Sequence, residues 1–219
     1  MSIATSNDLA ITWAALARAV ERKLQRLHTD LDPDRAKVFR LTWPFFPSFE
    51  DTKTISSQSS NLISKVLISR CGGLPQLTEF NPSAARLALL SRAEIHAQLC
   101  ILAIARRPGV LRCIVDKQTR QSMQAALGSA LFALNALGRS SQRVVSVSAN
   151  WQALRWVCIG FRDWQEAIAP QTPTIHQMIA LSLPEAMLLE VLAAPIEPAE
   201  HGAVAALELL KTQGIAWPT

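Results

Sequence analysis

The side chains best suited to metal binding or nucleophilic chemistry in this 219-residue chain are four histidines and four cysteines; tyrosine is absent. His96 and Cys100 stand at i and i+4, a spacing that puts both on one face of a helix and supplies half of a zinc site. Two more ligands are needed. Cys113 is the next sulfur along the chain, and neither a CxxC nor an HxxxH pattern accompanies it. The pair therefore reads as a packed cysteine with a polar histidine at its edge, and no metal or other cofactor is expected. His28, His176 and His201 stand alone and read as surface or helix-end residues. Cys71, Cys100, Cys113 and Cys158 fit no paired framework and lie in or beside apolar runs, as small core hydrophobes of a reducing compartment do.

Catalytic arrays are equally thin. No glycine loop follows a strand, and Cys71-Gly72-Gly73 ends a helix instead of opening one, so no phosphate cradle or dinucleotide site is indicated. Nucleophile-elbow and HExxH patterns are missing. Glu94 is a lone carboxylate on an amphipathic helix, where a solvated role is usual. With few general acids and bases available, the chain is expected not to be an enzyme.

The elements that carry these residues follow the helical repeat almost throughout, and strand alternation is brief and rare. The fold class expected is all-α, an irregular assembly of about eight to ten helices without significant sheet. Leu9, Trp13, Leu16, Val20, Leu24 and Leu27 step by three and four behind Asn7 or Asp8 as N-cap, opposite a solvated stripe of Arg18, Arg22 and Arg26. Pro33, Pro44 and Pro47 then forbid a long helix. A short turn at 33–39 is expected there, inside a loop of about 30–54 pinned by Trp43, Phe45, Phe46 and Phe49, and residues 52–61 read as flexible or as a helix entry. Residues 61–69 form a helix stopped by Gly72-Gly73.

Asn81-Pro82 is a helix-start signal, and the apolar run from Ala84 reaches about Ala105, with a break open near Ser91 because Ser91 and Glu94 make a capping box. Pro108 opens a short helix through Val115, Asp116 caps a helix from Lys117 to about Leu137, and Gly138 ends it. Ser146 or Ser148 starts a helix reaching Ile168, stopped by Pro170 and Pro173. Shorter helices follow at 175–181 and 185–192, and a last one runs from Pro198 to Thr212 and ends at Gly214. A main helical domain of 1–168 is expected, with a C-terminal lobe of 174–219 packed on it.

Charge is unevenly placed. The net charge is +5, yet residues 82–161 hold ten Lys/Arg against Glu94 and Asp116, while 162–219 hold Arg162 and Lys211 against seven acids. Such separation either docks the two parts together or presents opposite faces to different partners. Charged residues make up only 18% of the chain against 49% apolar, lean beside the usual ~25% charged, so some apolar surface is expected to be covered by partners. On this reading Arg106, Arg107 and Arg112 are candidate partner-binding cations whose reversal weakens one partner and spares the other. Trp13, Trp151 and Trp164 read as core anchors. Trp156 lies off the Leu154/Phe161/Trp164 face and is either buried by a neighbouring helix or an interface anchor.

A basic middle also raises nucleic-acid binding, the competing function: a helical DNA-binding regulator, with Arg106 to Gln121 as a helix-turn-helix around Pro108-Gly109. Against it, the cations are scattered around the helices, and VLRCIV is too apolar to lie in a groove. The N-terminus has no basic and apolar leader pattern, and the longest near-apolar stretch, Ala97 to Ala105, is short of the ~20 residues a bilayer needs. A cytoplasmic protein is expected.

Leu87 to Gly138, LALLSRAEIHAQLCILAIARRPGVLRCIVDKQTRQSMQAALGSALFALNALG, carries an ordered set of features. A Leu-rich helix with an internal Arg92 leads to a second apolar segment, a Pro-opened short helix, a cap and a Gln-rich amphipathic helix ending at Gly. With GLPQL at 73–77 upstream and LSLP at 181–184 downstream, this resembles the SctK (YscK-type) accessory proteins of bacterial type III secretion systems, over about half the chain. The first 60 residues and the end from Glu185 differ from the animal-pathogen members, and the plant-associated Hrp branch is the better comparison. The resemblance implies an all-helical, non-enzymatic adaptor of the cytosolic sorting platform. It would bridge the cytosolic domain of the SctD-type inner-membrane ring protein to the SctQ-type pod protein, and through SctL reach the secretion ATPase. It would sit peripherally at the cytosolic face of the inner membrane, with no insertion and no nucleic acid.

Overall fold

Leu99 to Ala105 is apolar or small at every position, so the helix carrying it has no polar face to turn to water and must be surrounded. The computed structural model, which describes residues 6–43, 57–141, 151–167, 172–195, 198–215 and 217, places that run at the centre of an all-α fold. Its helix, α4 (Arg92–Arg106), is buried at every position from Leu99 to Ala105. Around it are α1 (Ser6–Arg26), α2 (Pro33–Thr42), α3 (Ser57–Arg70), α5 (Val110–Cys113), α6 (Lys117–Leu127), α7 (Ala130–Ser140), α8 (Ala153–Ala167), α9 (Pro173–Ala180), α10 (Glu185–Ala193) and α11 (Ala203–Thr212). Short 3-10 turns at Leu27–Thr29, Leu77–Phe80 and Ser83–Leu89 link the first half, and the described residues include no strand.

The dominant packing is α4 against α8. Gly160 makes it possible: a Cβ there would lie 1.9 Å from the Leu99 carbonyl oxygen, so the backbones touch where no side chain fits. Trp156, Val157, Cys158, Ile159, Phe161 and Trp164 are buried around this crossing, with Phe161 stacked on Trp164 at 5.8 Å. The Trp164 indole N–H donates to the Ala84 carbonyl at 3.1 Å, fixing the 3-10 turn to α8. Helices α10 and α11 pack on α8 and α4, and Ile175, Ile179, Leu183, Leu188, Ala206 and Leu210 join the same buried cluster.

Several boundaries differ from the sequence reading for identifiable reasons. Asn7 and Asp8 lie inside α1, which begins at Ser6. In the run from Ala84 the break left open near Ser91 is made, because Leu90 is extended and the capping box is complete: Ser91 N–H donates to Glu94 at 2.9 Å while Ser91 Oγ accepts from the Glu94 amide. The helix expected over 117–137 breaks at Gly128, whose φ of 53° an L-residue adopts only at a cost, and a second helix runs on through Gly138 to Ser140. Gly138 therefore does not end a helix. It lets α7 approach the Pro108 carbonyl, which a Cβ would meet at 2.6 Å. This division brings the described α-helices to eleven, one above the expected upper figure.

Asp32 caps α2, with Pro33 at its first position, and α2 runs three residues past the 33–39 expected. Trp43 stacks on Phe39 at 5.8 Å, with the Arg70 guanidinium over its ring. The last helix starts at Ala203, five residues after Pro198. Expectations for Pro44, Phe45, Phe46 and Phe49, for residues 52–56, for Ser146 and Ser148, and for Ile168 and Pro170 lie outside the described residues.

Candidate partner-binding surface

His96 and Cys100 do share a face of α4, but that face is occupied. The Ser182 carbonyl lies 2.8 Å from His96 Nε2 and can only accept, so Nε2 carries the proton and donates. Cys100 is fully buried and its thiol is pushed up to about 12 by burial, which keeps it protonated and unreactive. Among the described residues no group of three or more His, Cys, Asp or Glu is placed to hold a metal.

His96 instead belongs to a buried polar junction. Arg92 donates to Asp32 at 2.9 Å and to the Ser182 carbonyl at 3.2 Å, and its backbone N–H donates to Asp30 at 2.9 Å. Lys23, itself buried, donates to Asp30 at 2.6 Å and to the Leu90 carbonyl. The junction joins α1, the α2 cap, the start of α4 and the turn after α9.

Burial lowers the His96 pKa below its ordinary value, reinforced by Arg92 and opposed by the Ser182 carbonyl and Asp32. A base with a lowered folded pKa holds its proton more tightly when unfolded. Its neutral form therefore favours the fold fully above pH ~6.5, and that contribution declines as pH falls toward the folded value. The urea midpoint is expected to drop between pH 7 and 5.5, and His96→Gln should flatten that drop. An equal slope in the variant would show that His96 does not set it.

The residues expected to meet partners fall in two places. Asp163, 1% exposed, accepts from Arg106 at 2.5 Å and from Arg107 at 2.5 and 3.1 Å, and Arg107 is 2% exposed. These two arginines thus face inward on α8. Arg106 also latches the chain near its end. Its carbonyl accepts from the Glu200 and His201 amides at 2.8 and 3.2 Å, and its Nε donates to the His201 carbonyl at 3.2 Å. Trp156 is 0% exposed, 5.0 Å from Trp151, which places it on the first of its two readings, buried by neighbouring helices. Arg112 is exposed and donates to the Ser141 carbonyl at 3.3 Å, and the Ser141 hydroxyl donates to Glu200.

Part of the charge polarity is therefore met inside the chain. Arg106 and Arg107 meet Asp163, Arg106 and Arg162 meet Glu166, and Arg155 meets Glu190. The sequence signal for this was Asp163 itself, a carboxylate set between Phe161 and Trp164 in an apolar helix face. Such a residue asks for buried cations.

The outward surface also holds an apolar feature. Between α1 and α3 runs a groove of about 770 Å³ lined by Ala17, Val20, Leu24 and Ile68, with Leu74 and Leu77 at one end. Leu74 is 71% exposed, and Leu62 on α3 is 65% exposed. Trp13, two turns before Val20 on the same α1 face, is partly exposed. Single exposed apolar residues elsewhere, such as Phe132 on α7, are ordinary; a clustered set marks a covered surface. Val20, read from its spacing as core, is buried, whereas Trp13 was read the same way and is exposed, because a core stripe and a docking stripe share one period.

No helix among the described residues is long and apolar enough to cross a membrane. Comparison with curated proteins and with solved structures found no match. Over residues 14–213, nearly the whole chain, the sequence matches the family model described as bacterial type III secretion protein (HrpB4). The chain belongs to that Hrp-type family of type III secretion proteins.

Proposed function

We propose that this chain is a non-enzymatic adaptor of the type III secretion sorting platform. It bridges the cytosolic domain of the SctD-type inner-membrane ring protein to the SctQ-type pod protein, and reaches SctL and the secretion ATPase through the pod. It is recruited peripherally to the cytosolic face of the inner membrane. The observation that carries this reading is the apolar groove between α1 and α3 on an all-helical scaffold. Family membership names the apparatus in which such a surface works.

The test is reconstitution from purified full-length chain, pod protein and ring-protein cytosolic domain, read by size-exclusion chromatography with light scattering. One complex containing all three is expected. Binding of neither partner, or binding of each only when the other is absent, would overturn the bridge. Arg112, the exposed member of the expected cation set, acts at a rim, so Arg112→Glu should weaken one of the two contacts by about 0.2–1 kcal/mol. A steep loss of retention on DNA between low and moderate salt would point to the nucleic-acid function instead.

A further inference from the structure

The groove between α1 and α3 carries a balanced pair of charges. Among the described residues its lining holds one acid, Glu21 on the α1 wall, and one base, Lys65 on the α3 wall. Both are exposed, and among the described residues neither forms an ion pair. Glu21 accepts from the Gln25 amide, one turn on, at 3.4 Å. Leu24 and Ile68 are half-buried between the two walls. Arg22 and Arg26 line a separate hollow with Asp30 and Glu94, so the arginine stripe of α1 gives the groove no net sign.

This balance selects among occupants. A strongly acidic partner meets Glu21 and a strongly basic one meets Lys65, so either sign brings a like charge to one wall, which is unfavourable. A second copy of the same groove answers both. A twofold axis lying along the groove sets the α1 wall of each copy over the α3 wall of the other. Glu21 of each copy then faces the partner's Lys65, twice per dimer, on either side of a shared apolar stripe.

Two hollows set face to face need side chains to fill them, and the rim supplies these. Leu62 is 65% exposed on α3, and Leu74 is 71% exposed at one end of the groove. In the pair each projects into the opposite copy and leaves water, which drives the association. The contact is short. The lining runs from Ala17 to Gln25 and from Asn61 to Ser69, about 12 Å along each wall at 1.5 Å per residue. With Trp13 and Leu62 beside it, the face falls below the ~20–30 residues a side of a standard interface. Pairing is therefore reversible, with a dissociation constant in the micromolar range.

We infer that the chain pairs with a second copy of itself through the groove between α1 and α3, with Glu21 and Lys65 as reciprocal charge contacts around Leu62 and Leu74. This goes beyond the adaptor reading and does not rest on it: it names what covers the groove when no apparatus protein does. Weak pairing leaves the face open to an apparatus protein once the copies separate.

Sedimentation velocity of the purified full-length chain over about 1–300 μM is the test. A monomer–dimer equilibrium is expected. Leu62→Glu, at an exposed position, should leave the chain monomeric across that range. Glu21→Lys and Lys65→Glu should each weaken dimerisation about tenfold, because each sets like charges together at both contacts. Mixing those two variants should restore the parental affinity, since every contact in the mixed pair joins opposite charges. Misfolded variants cannot rescue each other, so the mixture also controls for folding. A chain monomeric at the highest concentration, a dimer unmoved by Leu62→Glu, or a mixture no tighter than either charge variant alone would overturn the proposal. The three-component reconstitution reads the adaptor function separately, and each reading can fail without the other.

Discussion

Gly160→Ala is expected to destabilise the fold by about 3 kcal/mol, at the upper end of what overpacking costs. The sign is the informative part. In an ordinary helix interior, exchanging glycine for alanine gains roughly 0.8–1 kcal/mol, and Gly160 lies mid-helix in α8. Here the added methyl would lie 1.9 Å from the Leu99 carbonyl oxygen, 2.5 Å from its carbon and 3.1 Å from its Cα. Those are backbone atoms of a fully buried helix, which no rotamer change can move aside. The two helices must separate, and Trp156, Phe161 and Trp164 beside the crossing lose contact as they do. Urea unfolding followed by tryptophan fluorescence measures the change in midpoint. A variant as stable as the parent, or more so, would show that α4 and α8 do not touch at this point.

The second large effect concerns Asp163. Asp163→Asn removes the carboxylate that Arg106 and Arg107 share and leaves Arg107 charged in a site 2% exposed. Breaking a buried pair from one side costs about 3–5 kcal/mol. Asp163→Leu with Arg107→Met removes the more buried cation along with the carboxylate, Arg106 keeping Glu166 and the His201 carbonyl as partners, and should recover part of that loss. A double-mutant cycle in urea isolates the coupling. Additive losses would mean that the pair does not interact as its 2.5 Å and 3.1 Å contacts imply. The same cycle separates a fold lesion from a binding lesion, because the apolar pair keeps the surface while altering the interior.

That distinction bears on what the sequence could disclose. The all-helical class was legible because apolar residues recur at helical steps in nearly every segment, and Ser91 and Asp116 announced their helices through caps whose chemistry is local. The break at Gly128 was not legible, since one glycine inside a periodic run reads as a tolerated cost until its φ is known. Arg106 and Arg107 were sought at the surface because net charge along a sequence carries no information on direction. The carboxylate that turns them inward stands 56 residues away from Arg107. The groove escaped for the opposite reason: Leu24 and Ile68, which line it beside the buried Val20, have the spacing of a core stripe, and only the neighbours that stop short of covering them distinguish the two.

The clasp between the Arg106 carbonyl and the amides of Glu200 and His201 has a consequence for how the chain tolerates shortening or lengthening near its end. A buried helix finishes with carbonyls that water cannot reach, and here a strand of chain from far along the sequence supplies the missing donors. Glu200 and His201 are thus a plug fitted to the mouth of α4. Insertions or trims that would pass unnoticed in a surface loop should be felt at the centre of the protein, and through the Arg112–Ser141–Glu200 relay at the end of α7 as well.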